Sequence, residues 1–352
     1  MNGNVAARVL KADKPTSELA VVVIARNEEQ HIGKCLDALM WALQNYPRTP
    51  VLLVDSGSAD RTVEIASQYP VDVYRYQGPP YTAAAGRRVG FERTSSRYVL
   101  FVDGDCCVEP GWIELAMEYM DRDATAAVIY GQRAEVVETD TPGAGKSAVH
   151  QKEHGLGGNA LFRSNALRQA GGFNPYLKAG EEAELLGRLI AAGHHSLSTK
   201  QVMITHHTVP NTTLAGFVAR LRRGLNRGDG CTLRLAARQG LLMYHARRLN
   251  RYLLTLAYLF AGAFSAFATV LTRSETPVLL WALFGAATFS YLSYRRRSVL
   301  DAALIVADWV SIALYLPADF LRAPQCPENF DPAVELLHCE RVQHKSTHQL
   351  WI

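Results

Sequence analysis

Apolar and polar positions follow two rhythms along this chain. Up to about residue 250, short apolar runs alternate with helical periodicities. Leu19–Ala25 (LAVVVIA) is an unbroken apolar run, the pattern of a strand covered on both faces. Helical spacing follows over 29–44. A second strand is predicted over 51–54, a helix over 60–68, a third strand over 71–76, a helix over 82–92 and a fourth strand over 98–102. Such alternation predicts an α/β domain built on a mostly parallel sheet. Ligands of these sheets bind beyond the carboxyl ends of the strands. The informative residues are therefore those just past each run: Arg26-Asn27-Glu28, Asp55-Ser56-Gly57-Ser58 and Asp103-Gly104-Asp105. Residues 138–158, rich in Gly, Thr and Pro, read as a long loop.

Beyond Arg251 the rhythm changes. Leu253–Leu271 and Pro277–Tyr294 carry no charge and are long enough to span a hydrocarbon core. A third apolar segment, 299–321, is interrupted by Asp301, Asp308 and Asp319, which helical spacing puts close to one stripe. A charge in lipid is costly, so that stripe should face protein, water or the membrane surface. Arg247, Arg248 and Arg251 precede the first span and Arg295–Arg297 follow the second, which assigns those ends to the cytoplasm. The first eighteen residues lack the apolar core of a signal peptide, so the front domain is expected at the cytoplasmic face of the inner (plasma) membrane. The competing reading of 253–321 is a hydrophobic helical domain packed on the first.

Composition changes this picture little. The chain has 352 residues, 20% of them charged, and a formal net charge of +4, which excludes a disordered acidic or basic tail protein. The mean hydropathy of -0.04 hides the uneven distribution. The basic residues cluster beside the apolar segments without interleaved aromatics, which argues against nucleic acid as a partner. Six cysteines (35, 106, 107, 231, 326 and 339) show no zinc spacing and read as free thiols.

Asp103 and Asp105, one glycine apart at a strand end, repel each other unless cations answer them. Hard divalent ions such as Mn2+ and Mg2+ bind through one or two carboxylates together with substrate phosphates. One of these aspartates can meet such a metal and the other a sugar or ribose. Position at the sheet rim gives the pair its weight, since Asp-x-Asp is common by chance.

At this point the chain resembles a known family. VVVIARNEEQHIGKCLDAL, VDSGSADRT, AAAGRRVGF, FVDGD, GGNALFRSNALRQAGGF and GEEAELLGRL fall in the order found in family 2 glycosyltransferases of the Rossmann-like GT-A fold. The resemblance covers roughly residues 19–230. It implies inverting transfer of a sugar from a nucleoside-diphosphate donor, a UDP-sugar favoured, with Mn2+ or Mg2+. It implies that Ala25, Asn27 and Glu28 form the first nucleotide-contacting loop, that Asp55 meets the nucleobase and that Arg87 lies beside the donor. Asp103 would contact the ribose or donor sugar and Asp105 the metal, with His206 or its neighbour His207 approaching the metal or diphosphate. The catalytic base is usually the Asp of a Glu-Asp pair opening a helix. Here Glu182 stands in that place, with Glu181 as the fallback, and acidic residues at a helix N-terminus also occur without catalysis. Arg222, Arg223 and Arg227 bind either diphosphate or anionic headgroups. Gly158 and Asn159 open the acceptor-side stretch, where a glycine lets a backbone approach a sugar.

The expected organisation is an N-terminal tail (1–18), a GT-A domain (19–230), a basic juxtamembrane segment (231–252), membrane helices (253–271, 277–294, 299–321) and a tail (322–352). The expected activity is transfer to a lipid-linked or membrane-proximal glycan acceptor among membrane lipids, in exopolysaccharide or envelope glycan synthesis. Two alternatives stand beside it. A polyprenyl-phosphate sugar synthase needs no proton removed from its acceptor, which the Glu181-Glu182 pair disfavours. A non-catalytic membrane scaffold of the same fold would have no need of the aspartates and glutamates.

Overall fold

The computed structural model describes residues 15–137, 149–152, 157–208, 213–322, 325 and 327–339; at 137, 149–152, 207 and 208 only the backbone is considered. The loop expected over 138–158 lies mostly outside the described residues, as do Cys326 and most of the N-terminal tail. The chain forms two compact units, one of residues 1–177, 181–209 and 325–352, the other of 178–180 and 210–324.

The first unit runs β1 (Ser17–Ala25), α1 (Ile32–Ala42), β2 (Val51–Asp55), α2 (Thr62–Ala66), β3 (Asp72–Gln77), α3 (Ala83–Phe91), β4 (Ser96–Asp103), β5 (Cys106–Val108), α4 (Trp112–Arg122), β6 (Ala126–Val137), β7 (Val149–Lys152), β8 (Ala160–Arg163), α5 (Ser164–Gln169), α6 (Glu181–Ala191), β9 (His195–Thr208) and, from the chain's end, β10 (Ala333–His338). The sheet order is β10-β3-β2-β1-β4-β8-β6-β9-β5, with β7 on β6. β3, β2, β1 and β4 are parallel, as strand–helix alternation predicts. Beyond β4 the sheet is mixed: β8 runs antiparallel to β4 and β6, β5 antiparallel to β9, and β9 parallel to β6. The expectation of a mostly parallel sheet thus holds for its first half. A parallel neighbour needs a crossover of a dozen or more residues, and the regular crossover helices stop at α3.

β1 is central and buried on both faces, which explains its unbroken apolar sequence. Val21 and Val23 pack with Ile32 and Leu36 of α1 and with Trp112 of α4. Val22 and Ile24 pack with Val89 and Phe91 of α3, Leu167 of α5 and Leu185 of α6. The segment read as a polar tail supplies an edge strand instead, because β10 pairs antiparallel with β3 and Phe330 packs edge-on to Tyr76. Six residues suffice for such a strand, too short a signal beside the polar surroundings.

The second unit contains α7 (Leu214–Arg223), α8 (Asp229–Arg238), α9 (Leu242–Arg248), α10 (Asn250–Thr272), α11 (Thr276–Arg296) and α12 (Val299–Leu321). α10, α11 and α12 are long and apolar enough to cross a membrane. α10 and α11 are joined by a stacked Tyr258–Trp281 pair, with Trp281 Nε1 donating to the Tyr258 carbonyl at 3.0 Å. Two aspartates of the α12 stripe, Asp308 and Asp319, face protein. Asp308 accepts from Asn226 Nδ2 at 3.0 Å and lies 3.4 Å from Arg220, and buried Asp319 accepts from the Gly228 amide at 3.0 Å.

α3 sits on β1 and β2 because it is nearly all small residues on that side. A Cβ at Gly90 would overlap the Val22 side chain and meet Val54 Cγ2 at 3.1 Å. Gly90→Val should therefore destabilise the chain by about 1–3 kcal/mol, the usual cost of overpacking. Thermal unfolding in detergent checks this, and an unchanged midpoint would mean α3 is free to shift.

Candidate active site

Parallel register builds the rim. Ala25 is level with Asp55, and Ile24 with Asp103, so three strand ends deliver their residues to one edge. Gly104 makes the close approach possible. Its amide donates to the Ile24 carbonyl at 2.9 Å, and an added Cβ would press on that oxygen and on Ala25 Cβ at 3.2 Å. A cavity of about 250 Å³ opens there, lined among others by Ala25, Glu28, Arg87, Asp103, Asp105 and His206.

The two aspartates are answered by different partners. Asp103 Oδ1 accepts from Arg87 Nη2 at 2.8 Å. Its other oxygen accepts from Asn159 Nδ2 at 2.9 Å, while the Asp103 amide donates to Asn159 Oδ1 at 2.8 Å. Asp105 Oδ2 lies 3.1 Å from His206 Nε2, and its Oδ1 accepts from the Cys106 thiol at 3.3 Å. Burial pushes the Asp105 carboxyl up, but the His206 hydrogen bond and charge outweigh it and leave the group below its ordinary value. β5 pairs with β9 in a register that sets Cys106 opposite His206, which is what brings His206 to Asp105.

Asp105, Cys106 and His206 present ligand atoms all within 4.8 Å of one another. The Asp105 carboxylate suits Mn2+ or Mg2+, and an imidazole beside it fits the transition ion Mn2+ better than Mg2+, which takes oxygen ligands. The buried Nδ1 of His206 has no hydrogen-bond partner among the described residues. The Cys106 thiol fits a hard cation less well. Burial pushes its pKa well up, so it stays protonated and serves as a donor to Asp105.

Arg87 is buried at 2% exposure and joins the rim to α6. Nη1 donates to Glu181 Oε1 at 3.2 Å and lies 3.7 Å from Glu182 Oε1. Glu181 is buried and Glu182 half-buried. Burial, then repulsion from Glu181, pushes the Glu182 carboxyl up to about 8 against the pull of Arg87.

The other residues singled out in the sequence make contacts within the protein. Asp55 is fully buried and does not line the cavity; it holds Arg75 Nε at 2.6 Å and the Ser58 amide at 3.1 Å. Asn27, at a positive φ of 57°, ties the loop after β1 to the loop after β2 by accepting from the Ala59 amide at 2.8 Å. Gly158 and Asn159 lie against the Arg87–Asp103 pair: a Cβ on Gly158 would overlap the Arg87 guanidinium, and Asn159 clasps Asp103. Arg222, Arg223 and Arg227 belong to the second unit. Arg222 and Arg223 line a shallow groove with Leu214 and Val218, and Arg227 lies 4.3 Å over the Tyr315 ring. Arg26 and Ser56, read from the sequence as strand-end residues, line the cavity, and so do Tyr81 and Thr82, to which sequence reading gave no site role. Arg26 stands 5.1 Å from the Tyr81 ring centre, and Tyr81 in the Gly-Pro-Pro-Tyr turn before α3 was the available signal.

Residues 20–178 match the family model described as Glycosyl transferase family 2. The chain is 26% identical over 207 residues to the glycosyltransferase AglE of Haloferax volcanii, covering 54% of this chain and 67% of that protein. It is 25% identical over 225 residues to the pre-mycofactocin glycosyltransferase of Mycobacterium tuberculosis, covering 58% of this chain but only 45% of that protein, so it spans less than half of the latter's length. Among solved structures it is similar to the mannosyltransferase PcManGT of Pyrobaculum calidifontis, solved with GDP-Man and Mn2+, at a TM-score of 0.60 and 18% identity over 87% of this chain and 88% of that one. That likeness is one of fold.

The raised pKa of Glu182 has a consequence for stability. The folded chain keeps this proton up to about 8, whereas the unfolded chain loses it near 4.5, so stability contributed by this site falls as pH rises between those values. Glu182→Gln removes the dependence. At pH 8 the variant should exceed the parent by at least about 1.4 kcal/mol, the worth of one pKa unit, and at pH 4.5 the two should converge. Thermal midpoints at both pH values test it; parallel curves would show that Glu182 is ionised in the fold.

Proposed function

We propose that this chain, which belongs to glycosyl transferase family 2 through its residues 20–178, is a membrane-anchored, metal-dependent, inverting glycosyltransferase. It moves a sugar from a nucleoside-diphosphate donor to a lipid-linked or membrane-proximal glycan, in envelope or exopolysaccharide assembly. The observation that carries this reading is the convergence of Asp103, Asp105, His206, Arg87 and the Glu181-Glu182 pair on one rim of the sheet. The three long apolar helices and the arginines at their ends support a plasma-membrane location with the first unit on the cytoplasmic side.

In this reading the donor lies along the cavity, with Tyr81 and Arg26 offering a face for the base. Asp103, fixed by Asn159 and Arg87, accepts from a ribose or sugar hydroxyl. Asp105 and His206 would hold Mn2+ or Mg2+, which supplies positive charge where the leaving diphosphate gathers negative charge. Glu182 takes the proton of the acceptor hydroxyl as its oxygen bonds to the anomeric carbon, and the bond from that carbon to the diphosphate oxygen breaks on the opposite face. The configuration inverts.

Donor binding tests the reading directly. With detergent-purified chain, one of the UDP-, GDP- or dTDP-sugars should bind only with Mn2+ or Mg2+, and Asp105→Ala should weaken that binding about 10–100-fold or more. Glu182→Gln should retain binding while transfer to a membrane glycan falls about 10²–10⁴-fold, the usual contribution of a general base. No binding of any donor under any metal would favour the scaffold alternative.

A further inference from the structure

The resemblance puts Arg87 beside the donor and Arg87 lines the cavity, yet both of its terminal nitrogens are engaged by carboxylates of the protein. Its guanidinium packs over Gly158, where a side chain would overlap it, and lies 5.6 Å from the Phe173 ring centre. Nη2 is spent on Asp103, and Nη1 on Glu181 with Glu182 just beyond. Nε is buried without a hydrogen-bond partner among the described residues. Reaching a diphosphate would require breaking the ion pairs to Asp103 and Glu181 and leaving a carboxylate without its cation.

We infer that Arg87 is a positioning residue for the base rather than a ligand of the donor: it straps Glu181 and Asp103 into place and leaves Glu182 as the carboxylate that exchanges a proton with the acceptor. This rests on the glycosyltransferase reading given above. The charge count explains the division of labour. One cation faces three carboxylates, Asp103 from β4 and Glu181 and Glu182 from α6, so the cluster cannot hold all three ionised at ordinary cost. The carboxylate farthest from the guanidinium, at 3.7 Å against 2.8 and 3.2 Å, is Glu182. It is also more exposed than Glu181, 19% against 8% of the side chain, and so is the one a substrate hydroxyl can reach. The upward shift of the Glu182 carboxyl has the same origin. Arg87 therefore tunes how readily the base ionises, and Glu181 works against it.

The test reads the proton on Glu182 itself. Infrared titration of the full chain in detergent, taken as the difference between each protein and its Glu182→Gln counterpart, isolates that carboxyl. Arg87→Gln should raise its midpoint by about one unit or more, since an opposite charge at this distance is worth one to three. Arg87→Lys, which keeps the charge and loses the fork, should move it less. Glu181→Gln, close to isosteric, should lower it, and serves as the second variant if Arg87→Gln fails to fold. Mn2+-dependent nucleotide binding, measured on the same samples, should fall less than about tenfold in Arg87→Gln, because Asn159 still holds Asp103. The inference is overturned if the Glu182 midpoint ignores both Arg87→Gln and Glu181→Gln, or if Arg87→Gln loses nucleotide binding a hundredfold with the midpoint unmoved. These results are separable from the functional reading. A parent chain that transfers sugar with an insensitive midpoint defeats the inference alone. A parent that binds and transfers nothing, whatever its midpoint, defeats the reading and with it the role of base.

Discussion

A guanidinium stripped of water costs several kcal/mol unless carboxylates surround it. Arg87 meets that condition by drawing in one acid from the sheet and two from α6, and much of the site's architecture follows from it. Asp103 is at the end of β4, Glu181 begins α6, and 78 residues of sequence separate them. Nothing local would bring them together. The buried cation does so with two bonds, and Gly158 must be glycine for it to fit. The same arrangement sets two adjacent glutamates at unequal distances from one cation, 3.2 Å for Glu181 and 3.7 Å for Glu182.

Around this pivot, polar residues are used first to shape loops and only then to face the cavity. Asp55 spends its carboxylate on Arg75 and the Ser58 amide, so it fixes the loop after β2 and stays out of the cavity. Asn27 and Ser58 tie that loop to the one after β1, with the Asn27 amide donating to Ser58 Oγ at 2.9 Å. Glu28 and Thr62 add a further cross-link, the Glu28 amide donating to Thr62 Oγ1 at 2.8 Å. A rim whose strand ends are laced in this way is rigid before any ligand arrives, and preorganisation of that kind favours binding by lowering the ordering cost.

The parts legible in the sequence are those where a local pattern fixes the outcome. The apolar run of β1, the helix α3 with its Thr82 cap and the bounds of α12 follow from periodicity and capping alone. The rim was legible for the same reason, since parallel strands must end together. Partners chosen across the sheet were not. Asp55 looks free until β3 sets Arg75 opposite it. The contact of Asn159 with Asp103 depends on β8 pairing with β4, which no local pattern announces. β10 could not be read at all, because its pairing with β3 spans some 250 residues and its own sequence is neither long nor strongly alternating. Likewise, that Glu181 rather than Glu182 is the tighter partner of Arg87 depends on which way each side chain leaves the helix, which adjacent identical residues do not reveal.

The aspartates of α12 bear on how the apolar helices meet a bilayer. α10 and α11 are almost free of buried residues and carry their charges at their ends, as spans do. α12 differs. At its midpoint Asp308 is joined to Asn226 and faces Arg220, and near its end Asp319 is buried against Gly228 while Arg234 caps the last carbonyls. An arginine held at the centre of a hydrocarbon core costs at least about 2.5–3.5 kcal/mol, and here the Asp308 contact keeps Arg220 beside the middle of the helix. The cost disappears if that middle lies at the level of the headgroups, with α7 and α8 covering the polar stripe and Leu300 and Leu314 facing acyl chains. Reading α12 as a full span thus carries a penalty that α10 and α11 do not.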